Sequence, residues 1–289
     1  MKRSKRGSGA KKGRARNCLA VLVLLVCAGA AAFLCVQAAR ELCERKAGTG
    51  YYQALSGALH AQSDATEPLP TTSRAPITQD TAPSAAVESP VPEPTEEPQQ
   101  GVEPFSAIDF VQLRLTCPDA VGWITLPGTS IDYPVVQGDD NEYYLSHLPD
   151  GQPNAAGSIM MDAACDGLFG DELNILHGHH MKNGSMFGCL DAFREEAFFP
   201  DHSTLRLMTP QGDFDVALFA AFTADGEAFG YPTAFDSDQA FDAFLAQCQA
   251  RSFFQADVEV QRGDRLLLLS TCSYAYEGER LLVVGKLME

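Results

Sequence analysis

The stretch that decides the fold is RLLLLSTCSY, residues 265–274. Four consecutive leucines precede Ser270, Thr271 and Cys272, and such a run predicts a strand that is buried on both faces. A cysteine at the end of a buried strand has a fixed backbone, which suits a nucleophile. Taken alone, a cysteine in this position is more often a packed structural residue, so its role depends on the rest of the chain.

A second stretch, NILHGHHM at 174–181, runs from an apolar strand into a glycine and three histidines. Strand alternation puts His177 and His179 on one face if the strand continues that far. An imidazole near a cysteine can manage the proton of the thiol. The histidines could also form a surface cluster or bind a metal, but no acidic or thiol partner sits at a standard ligand spacing, so we predict no metal site.

The remaining apolar runs are short and are separated by turn residues. Strands are predicted at 121–126, 131–136, 157–161, 173–176, 204–208, 214–223, 258–260, 265–271 and 280–287. Helices are predicted at 105–115, 187–199 and 238–249. Many short strands with few helices between them favour a mainly β barrel or sandwich over a parallel βαβ sheet.

The N-terminal part of the chain predicts a membrane anchor. Residues 18–36 form an unbroken run of apolar or small residues, and eight Lys/Arg residues precede it. The positive-inside rule then makes 1–17 a basic cytoplasmic segment, 18–39 a transmembrane signal anchor and the rest of the chain extracellular. The alternative is a cleaved signal peptide, although the run is longer than the usual apolar region of one.

Composition changes again after the anchor. Residues 40–104 comprise a juxtamembrane segment and an extracellular linker, and nine of the 17 prolines fall between 62 and 104. Such a linker cannot bury enough apolar surface to fold, so we expect a disordered spacer that could hold the body on the order of 100 Å from the bilayer. The folded body is predicted to span 105–289.

Charge and cysteine content narrow the function of the body. Residues 105–289 carry 9 Lys/Arg against 28 Asp/Glu, which excludes nucleic acid as a partner because little there would neutralise phosphates. The body holds five cysteines, an odd number, without a CxxC pair. At least one thiol is therefore expected to be free, and a zinc ribbon is not expected.

Taken together, the two stretches resemble the sortases. Ser-Thr-Cys-Ser-Tyr is followed, eight residues after Cys272, by Arg280 at the start of RLLVVGKL. ILHGHHMKNGSMF at 175–187 is similar to the histidine motif of class B sortases, as are IDYPVVQ at 131–137 and NEYYL at 141–145 to their N-terminal strands. The resemblance covers the whole body.

This resemblance implies an eight-stranded β-barrel with peripheral helices, preceded here by the transmembrane helix and the linker. It also implies a cysteine transpeptidase that works without a cofactor. Its substrates would be secreted proteins bearing a C-terminal sorting motif, cleaved through a thioacyl intermediate and joined to a peptidoglycan amine or a pilin lysine. The expected location is the cell membrane of a Gram-positive type envelope, with one membrane pass and the catalytic domain outside.

Carried over residue by residue, the resemblance implies Cys272 as nucleophile, His179 as proton partner and Arg280 as oxyanion stabiliser. Substrate contacts are expected from the residues around the nucleophile: Ser270, Thr271 and Tyr274. Two positions depart from the family pattern, since histidine replaces the usual tyrosine at 177 and the usual asparagine at 180. His177 is therefore the main rival for the proton role.

Two other functions fit the same residues. An extracellular cysteine peptidase would pass through the same thioacyl intermediate but would only hydrolyse it. A non-catalytic surface protein on a stalk would tolerate the loss of Cys272.

Overall fold

The computed structural model of the protein describes residues 29–39, 43, 46–59, 107–226, 229–272 and 278–288. The predicted cytoplasmic segment 1–17, residues 18–28 of the predicted anchor and the whole Pro-rich stretch 62–104 lie outside this part. Across the described ranges, no helix combines the length and the apolar character needed to cross a membrane.

Eight strands form the body. They are β1 (Ala120–Thr125), β2 (Asp132–Val136), β3 (Ile159–Met161), β4 (Leu173–His179), β5 (Thr204–Thr209), β6 (Gly212–Asp225), β7 (Leu266–Cys272) and β8 (Glu279–Met288). They close into a barrel in the order β1-β2-β3-β4-β7-β8-β6-β5. The predicted mainly β, eight-stranded barrel is thus confirmed.

Six of the eight neighbouring strand pairs are antiparallel, whereas β2 and β3, and also β4 and β7, run parallel. The β4–β7 pair is the longer of the two parallel pairs. Its pairing extends from Leu173 opposite Leu266 to His179 opposite Cys272. The two stretches that decided the sequence interpretation therefore lie side by side and end at the same edge of the barrel.

The leucine run of β7 is buried on both faces, as predicted. Leu266, Leu267, Leu268 and Leu269 are each at most 1% exposed. A strand without solvent contact resists local opening, because the backbone hydrogen bonds on both of its sides are shielded from water. The strand thus gives the residue at its end a rigid support.

Within residues 107–288, two α-helices lie outside the barrel: α1 (Phe110–Thr116) and α2 (Asp238–Arg251). Each begins at a side-chain cap: Asp109 accepts from the amides of Val111 and Gln112, and Ser237 accepts from that of Ala240. Both helices were predicted, and α1 is shorter than expected at its start.

Two sequence predictions were wrong. Residues 187–199 form 3₁₀-helices, Gly188–Arg194 and Glu196–Asp201, instead of one α-helix. The buried Leu190 and Phe193 are three residues apart, which matches the three-residue turn of a 3₁₀-helix. Residues 258–260 form no strand, since each of the eight described strands already has a neighbour on both sides.

Residues 46–59 are helical, and we call them the N-terminal helical segment. Its Tyr52 is 5% exposed and joins the main core cluster, while Leu59 is 8% exposed and joins a second cluster around Trp123. The segment therefore packs against the barrel, although the sequence suggested only a link between membrane and body.

Candidate active site

Strand β4 ends in His177-Gly178-His179, and the surroundings of Gly178 show which face of the strand is turned to the core. A Cβ atom on Gly178 would lie 2.6 Å from Ile159 Cδ1 and 2.7 Å from Phe187 Cδ2, both of which are core residues. Gly178 thus lies on the core face, where a larger residue would not fit. Strand alternation places His177 and His179 on the opposite face.

The strand register brings three predicted residues into one row. His179 of β4 lies opposite Cys272 of β7, and Cys272 lies opposite Arg280 of β8. Neighbouring strands are about 5 Å apart, so residues 179, 272 and 280 occupy adjacent positions across three strands. The structure therefore assembles the predicted histidine, cysteine and arginine positions although up to 101 residues separate them in sequence.

The ring of His179 is oriented by a backbone carbonyl. Its Nε2 lies 2.7 Å from the carbonyl oxygen of Leu145, at the end of the 3₁₀-helix Tyr143–Leu145. A carbonyl oxygen only accepts hydrogen bonds, so Nε2 carries the hydrogen. Proton exchange by His179 must then use Nδ1.

The position of that carbonyl depends on Gly157. This residue has φ of +59°, and a Cβ atom there would lie 2.7 Å from the carbonyl oxygen of Leu145. Glycine adopts this backbone conformation without steric cost and leaves room for the approach. Gly157 thus lets the partner of His179 reach its place.

His177 has a different partner, the carboxylate of Asp162. Nε2 of His177 donates to Oδ2 of Asp162 over 2.8 Å. Asp162 also accepts from the Ala164 amide at 2.9 Å and from Asn141 Nδ2 at 3.0 Å. These bonds, that of His177 first, lower the pKa of Asp162 to about 2. The carboxylate therefore stays ionised over the whole useful pH range.

His180, the third histidine, also pairs with a carboxylate. Its Nε2 hydrogen-bonds Oδ2 of Asp191, in the first 3₁₀-helix after β4. Two of the three histidines are thus bound to carboxylates, and only His179 both binds a carbonyl and lies level with Cys272. In the described ranges, no group of three or more His, Cys, Asp or Glu residues is arranged to hold a metal ion.

The side chain of Arg280 passes directly over Gly226, at the end of β6. A Cβ atom on Gly226 would lie 2.7 Å from both Cγ and Nε of Arg280. The amide of Gly226 donates to the Gly278 carbonyl at 2.8 Å, which ties the β6 end to the start of β8. The path of the guanidinium therefore depends on the absence of a side chain at position 226.

The predicted substrate-contact residues differ in their placement. Ser270 is 2% exposed, lies opposite His177, and its Oγ is 3.0 Å from the hydroxyl of Tyr231. Tyr231 meets the His177 ring edge-on, with 5.6 Å between centroids. Thr271 is fully buried, and Tyr274 lies outside the described residues.

The other cysteines of the body are packed thiols. Cys117, Cys165 and Cys248 are buried, Cys189 is partly buried, and all four are free. Burial raises the pKa of Cys165 to about 11 and that of Cys248 to about 12. A thiol with so high a pKa is mostly protonated and unreactive at neutral pH.

Sequence reasoning missed the residues that orient the histidines. Leu145 acts through its carbonyl, which any residue type would supply, so no residue signal marks it. Asp162 is an aspartate that only the fold brings to His177, 15 residues further along. Tyr231 comes from the β6–β7 connection, for which the sequence predicts no contact with β4.

Two known proteins are identical to this chain at about a third of the aligned positions. Sortase B of Listeria monocytogenes is 34% identical over 172 residues, which cover 59% of this chain and 70% of that protein. Sortase B of Staphylococcus aureus is 32% identical over 182 residues, covering 62% of this chain and 75% of that protein. No protein-family model matches the chain.

Solved structures of sortase B proteins have a similar fold. Sortase B from B. anthracis in complex with AAEK1 superposes with a TM-score of 0.58 and 38% identity, over 62% of this chain and 84% of that one. A Staphylococcus aureus sortase B–substrate complex gives a TM-score of 0.58 and 33% identity over the same shares. The barrel is thus that of a sortase-type cysteine transpeptidase. The chain belongs to the sortase B family.

Proposed function

We propose that this protein is a membrane-anchored transpeptidase in which Cys272 is the nucleophile, His179 the proton carrier and Arg280 the oxyanion stabiliser. Its donor substrates are secreted proteins with a C-terminal sorting motif. Its acceptor is an amine of the cell wall or of a pilin. The family membership supports the reaction class, and the residue roles rest on the row of register positions.

The observation that carries the proposal is that positions 179, 272 and 280 are adjacent across β4, β7 and β8. An imidazole, a thiol and a guanidinium at neighbouring positions can reach the same peptide bond. Each of these residues lies at the end or the start of a paired strand, so its backbone position is fixed before the substrate binds.

In the first half of the reaction, Nδ1 of His179 takes the proton of the Cys272 thiol, and the sulfur attacks the carbonyl carbon of the scissile bond so that a C–S bond forms. Arg280 stabilises the oxyanion with a guanidinium that stays charged at any working pH. The C–N bond then breaks, and the leaving amine takes a proton from Nδ1 of His179. A thioacyl-enzyme remains.

In the second half, the acceptor amine attacks the thioester carbon. Nδ1 of His179 takes the proton from this amine, a new C–N bond forms, and the thiolate of Cys272 leaves. The Leu145 carbonyl supports both steps, because it binds Nε2–H in either protonation state and holds the ring in one orientation. If water replaced the amine, the product would be a free acid.

His179 is favoured over His177 for this role. His177 lies opposite Ser270, one repeat of the strand away from Cys272. Its bond to the ionised Asp162 fixes the ring in place. We therefore assign His177, with Ser270 and Tyr231, to the wall beside the reacting groups, whereas the buried Thr271 supports the strand.

The proposed anchor is the apolar segment 18–39, with the N-terminus in the cytoplasm. Eight Lys/Arg residues before this segment support the orientation. Its described part, 29–39, is helical and exposes Phe33, Leu34 and Val36 by 53% or more. Apolar side chains that are exposed on a helix are suited to a lipid environment.

The test uses the full chain, a library of sorting-motif peptides and several amines, with products read by mass spectrometry. Wild-type protein should give peptide–amine conjugates and a thioacyl adduct on Cys272. Cys272→Ala should give neither, whereas Cys189→Ala, which removes another free thiol, should behave like wild type. Full turnover by Cys272→Ala would remove the nucleophile, and free acid as the sole product would make the protein a hydrolase.

A further inference from the structure

The N-terminal helical segment, 46–59, is attached to the barrel by specific contacts. The Tyr52 hydroxyl donates to the carbonyl of Gly157 over 2.6 Å, and Ser56 donates to Asp132 of β2. Burial raises the pKa of Tyr52 well above its ordinary value, so this hydroxyl keeps its proton. A buried hydroxyl with a backbone partner is costly to separate from it, because neither group would find another partner in the interior.

Close packing occurs at the start of the segment as well. Gly48 is buried, and a Cβ atom there would lie 2.9 Å from Oδ1 of Asn154. Gly50 and Gly57 of the same segment are exposed, and a Cβ atom on either meets nothing within 4 Å. The segment thus has one face shaped to the barrel and one face turned to solvent.

The far end of the segment meets the place where the chain re-enters the body. Leu59 belongs to the same buried cluster as Ile108 and Phe110. The 47 residues between Leu59 and the described residue 107 therefore begin and end at one site on the barrel. All nine prolines of the predicted spacer fall between these two contacts.

We propose that the catalytic body begins at residue 46, and that the Pro-rich part of the chain is an excursion from this body instead of its tether to the membrane. The membrane half of this inference rests on the anchor of the proposed function, residues 18–39. If the body begins at residue 46, residues 40–45 are the whole connection between that anchor and the body. Seven Cα steps lead from residue 39 to residue 46 and span at most about 25 Å. The body, and the active site with it, is then held close to the bilayer surface.

Two sets of variants test the inference in the full chain reconstituted in vesicles. One set inserts the same 40-residue Gly/Ser linker either between residues 42 and 43 or between residues 80 and 81. Energy transfer from a fluorophore, clicked to azidophenylalanine at the exposed Leu168, to labelled lipid reports the height of the barrel. The insertion at 42/43 should lower the transfer by about half or more, since 40 flexible residues have an r.m.s. length of about 35 Å. The insertion at 80/81 should leave it unchanged, and an equal fall with both insertions would overturn the proposal.

The second set examines the docking itself by hydrogen exchange. Amides of 49–59 should exchange at least about 100-fold more slowly than in an unstructured peptide. Gly48→Leu should accelerate the exchange of these amides about tenfold or more, because the new side chain clashes with Asn154. The matched Gly57→Leu should leave their exchange unchanged. Both replacements raise the helix propensity equally, so propensity cannot explain a difference. Equal exchange in the two variants, or unprotected amides in wild type, would contradict docking.

The two levels of the proposal fail in different ways. Carbonate extraction of membranes shows first whether the chain is integral. A chain that extracts into the supernatant would refute the anchor of the proposed function and the membrane half of this inference. The hydrogen-exchange comparison would still decide whether residues 46–59 belong to the body.

Discussion

The ends of β4, β7 and β8 carry two successive rows of residues on one face, and the rows differ in chemistry. The outer row holds His179, Cys272 and Arg280, and the inner row holds His177, Ser270 and Leu282. Both rows contain a histidine that donates from Nε2. In the outer row the acceptor is a neutral carbonyl, and in the inner row it is an ionised carboxylate.

In the proposed function, the difference between these acceptors separates a reacting row from a supporting row. The neutral carbonyl fixes the tautomer of His179 and, in the proposed reaction, leaves proton exchange to Nδ1. The carboxylate of Asp162 fixes the orientation of the His177 ring. By sequence position alone, His177 and His179 are equal candidates for the proton role. Their hydrogen-bond partners distinguish them.

The strongest way to break this comparison is to remove each histidine in turn. His179→Ala should lower kcat/KM by about 10²- to 10⁴-fold, the usual contribution of a positioned acid–base group. His177→Ala should lower it by no more than about tenfold. Peptide–amine conjugation measured by mass spectrometry gives the ranking, with thermal melts to confirm that both variants fold. The reverse ranking would move the proton role to His177.

The next test concerns the guanidinium of the outer row. Arg280→Lys keeps the charge but loses the planar fork, so transition-state stabilisation should fall by about 2.7–4 kcal/mol, which is roughly 100- to 1,000-fold in kcat. Single-turnover acylation measures this directly. Rates close to wild type would count against the oxyanion role.

A smaller effect is expected one step away, at the glycine under that side chain. In Gly226→Ala the added Cβ atom would lie 2.7 Å from Arg280 Cγ, so the guanidinium must shift and kcat should fall by about 10- to 100-fold. Gly50→Ala is the matched control, because its Cβ atom meets nothing within 4 Å. Equal rates in the two variants would show that Arg280 does not depend on Gly226.

The smallest effect concerns the inner row and is a change in stability. The pKa of Asp162 is lowered from 3.8 to about 2 in the folded protein, so the ionised carboxylate stabilises the fold above pH about 4, and this contribution is lost as pH falls towards 2. Asp162→Asn should lower the free energy of unfolding at pH 7 by about 1 to 2 kcal/mol, after allowance for solvent screening. The difference between variant and wild type should shrink in urea titrations at pH 3. A difference that is independent of pH would contradict this account.

The sequence marks the positions of the outer row but not the contacts of the inner row, for a physical reason. The row of Cys272, His179 and Arg280 stands at strand ends, where apolar runs stop at polar residues, and the family motifs mark the same positions. Asp162, Tyr231 and the Leu145 carbonyl act through contacts that only the closed barrel creates, so no local pattern reveals them. The residues before 60 were interpreted only as a juxtamembrane segment, because the contacts of Tyr52 and Leu59 with the barrel are likewise created by the fold.

Closure of the barrel limits how a peptide can be recognised. Each of the eight described strands has a neighbour on both sides, so the sheet offers no full-length edge. A peptide therefore cannot bind chiefly by adding a strand through main-chain hydrogen bonds, the mode of many peptide-binding domains. Selectivity must come from side chains and loops at the rim, where a few substitutions can change the preferred motif while the barrel itself stays the same.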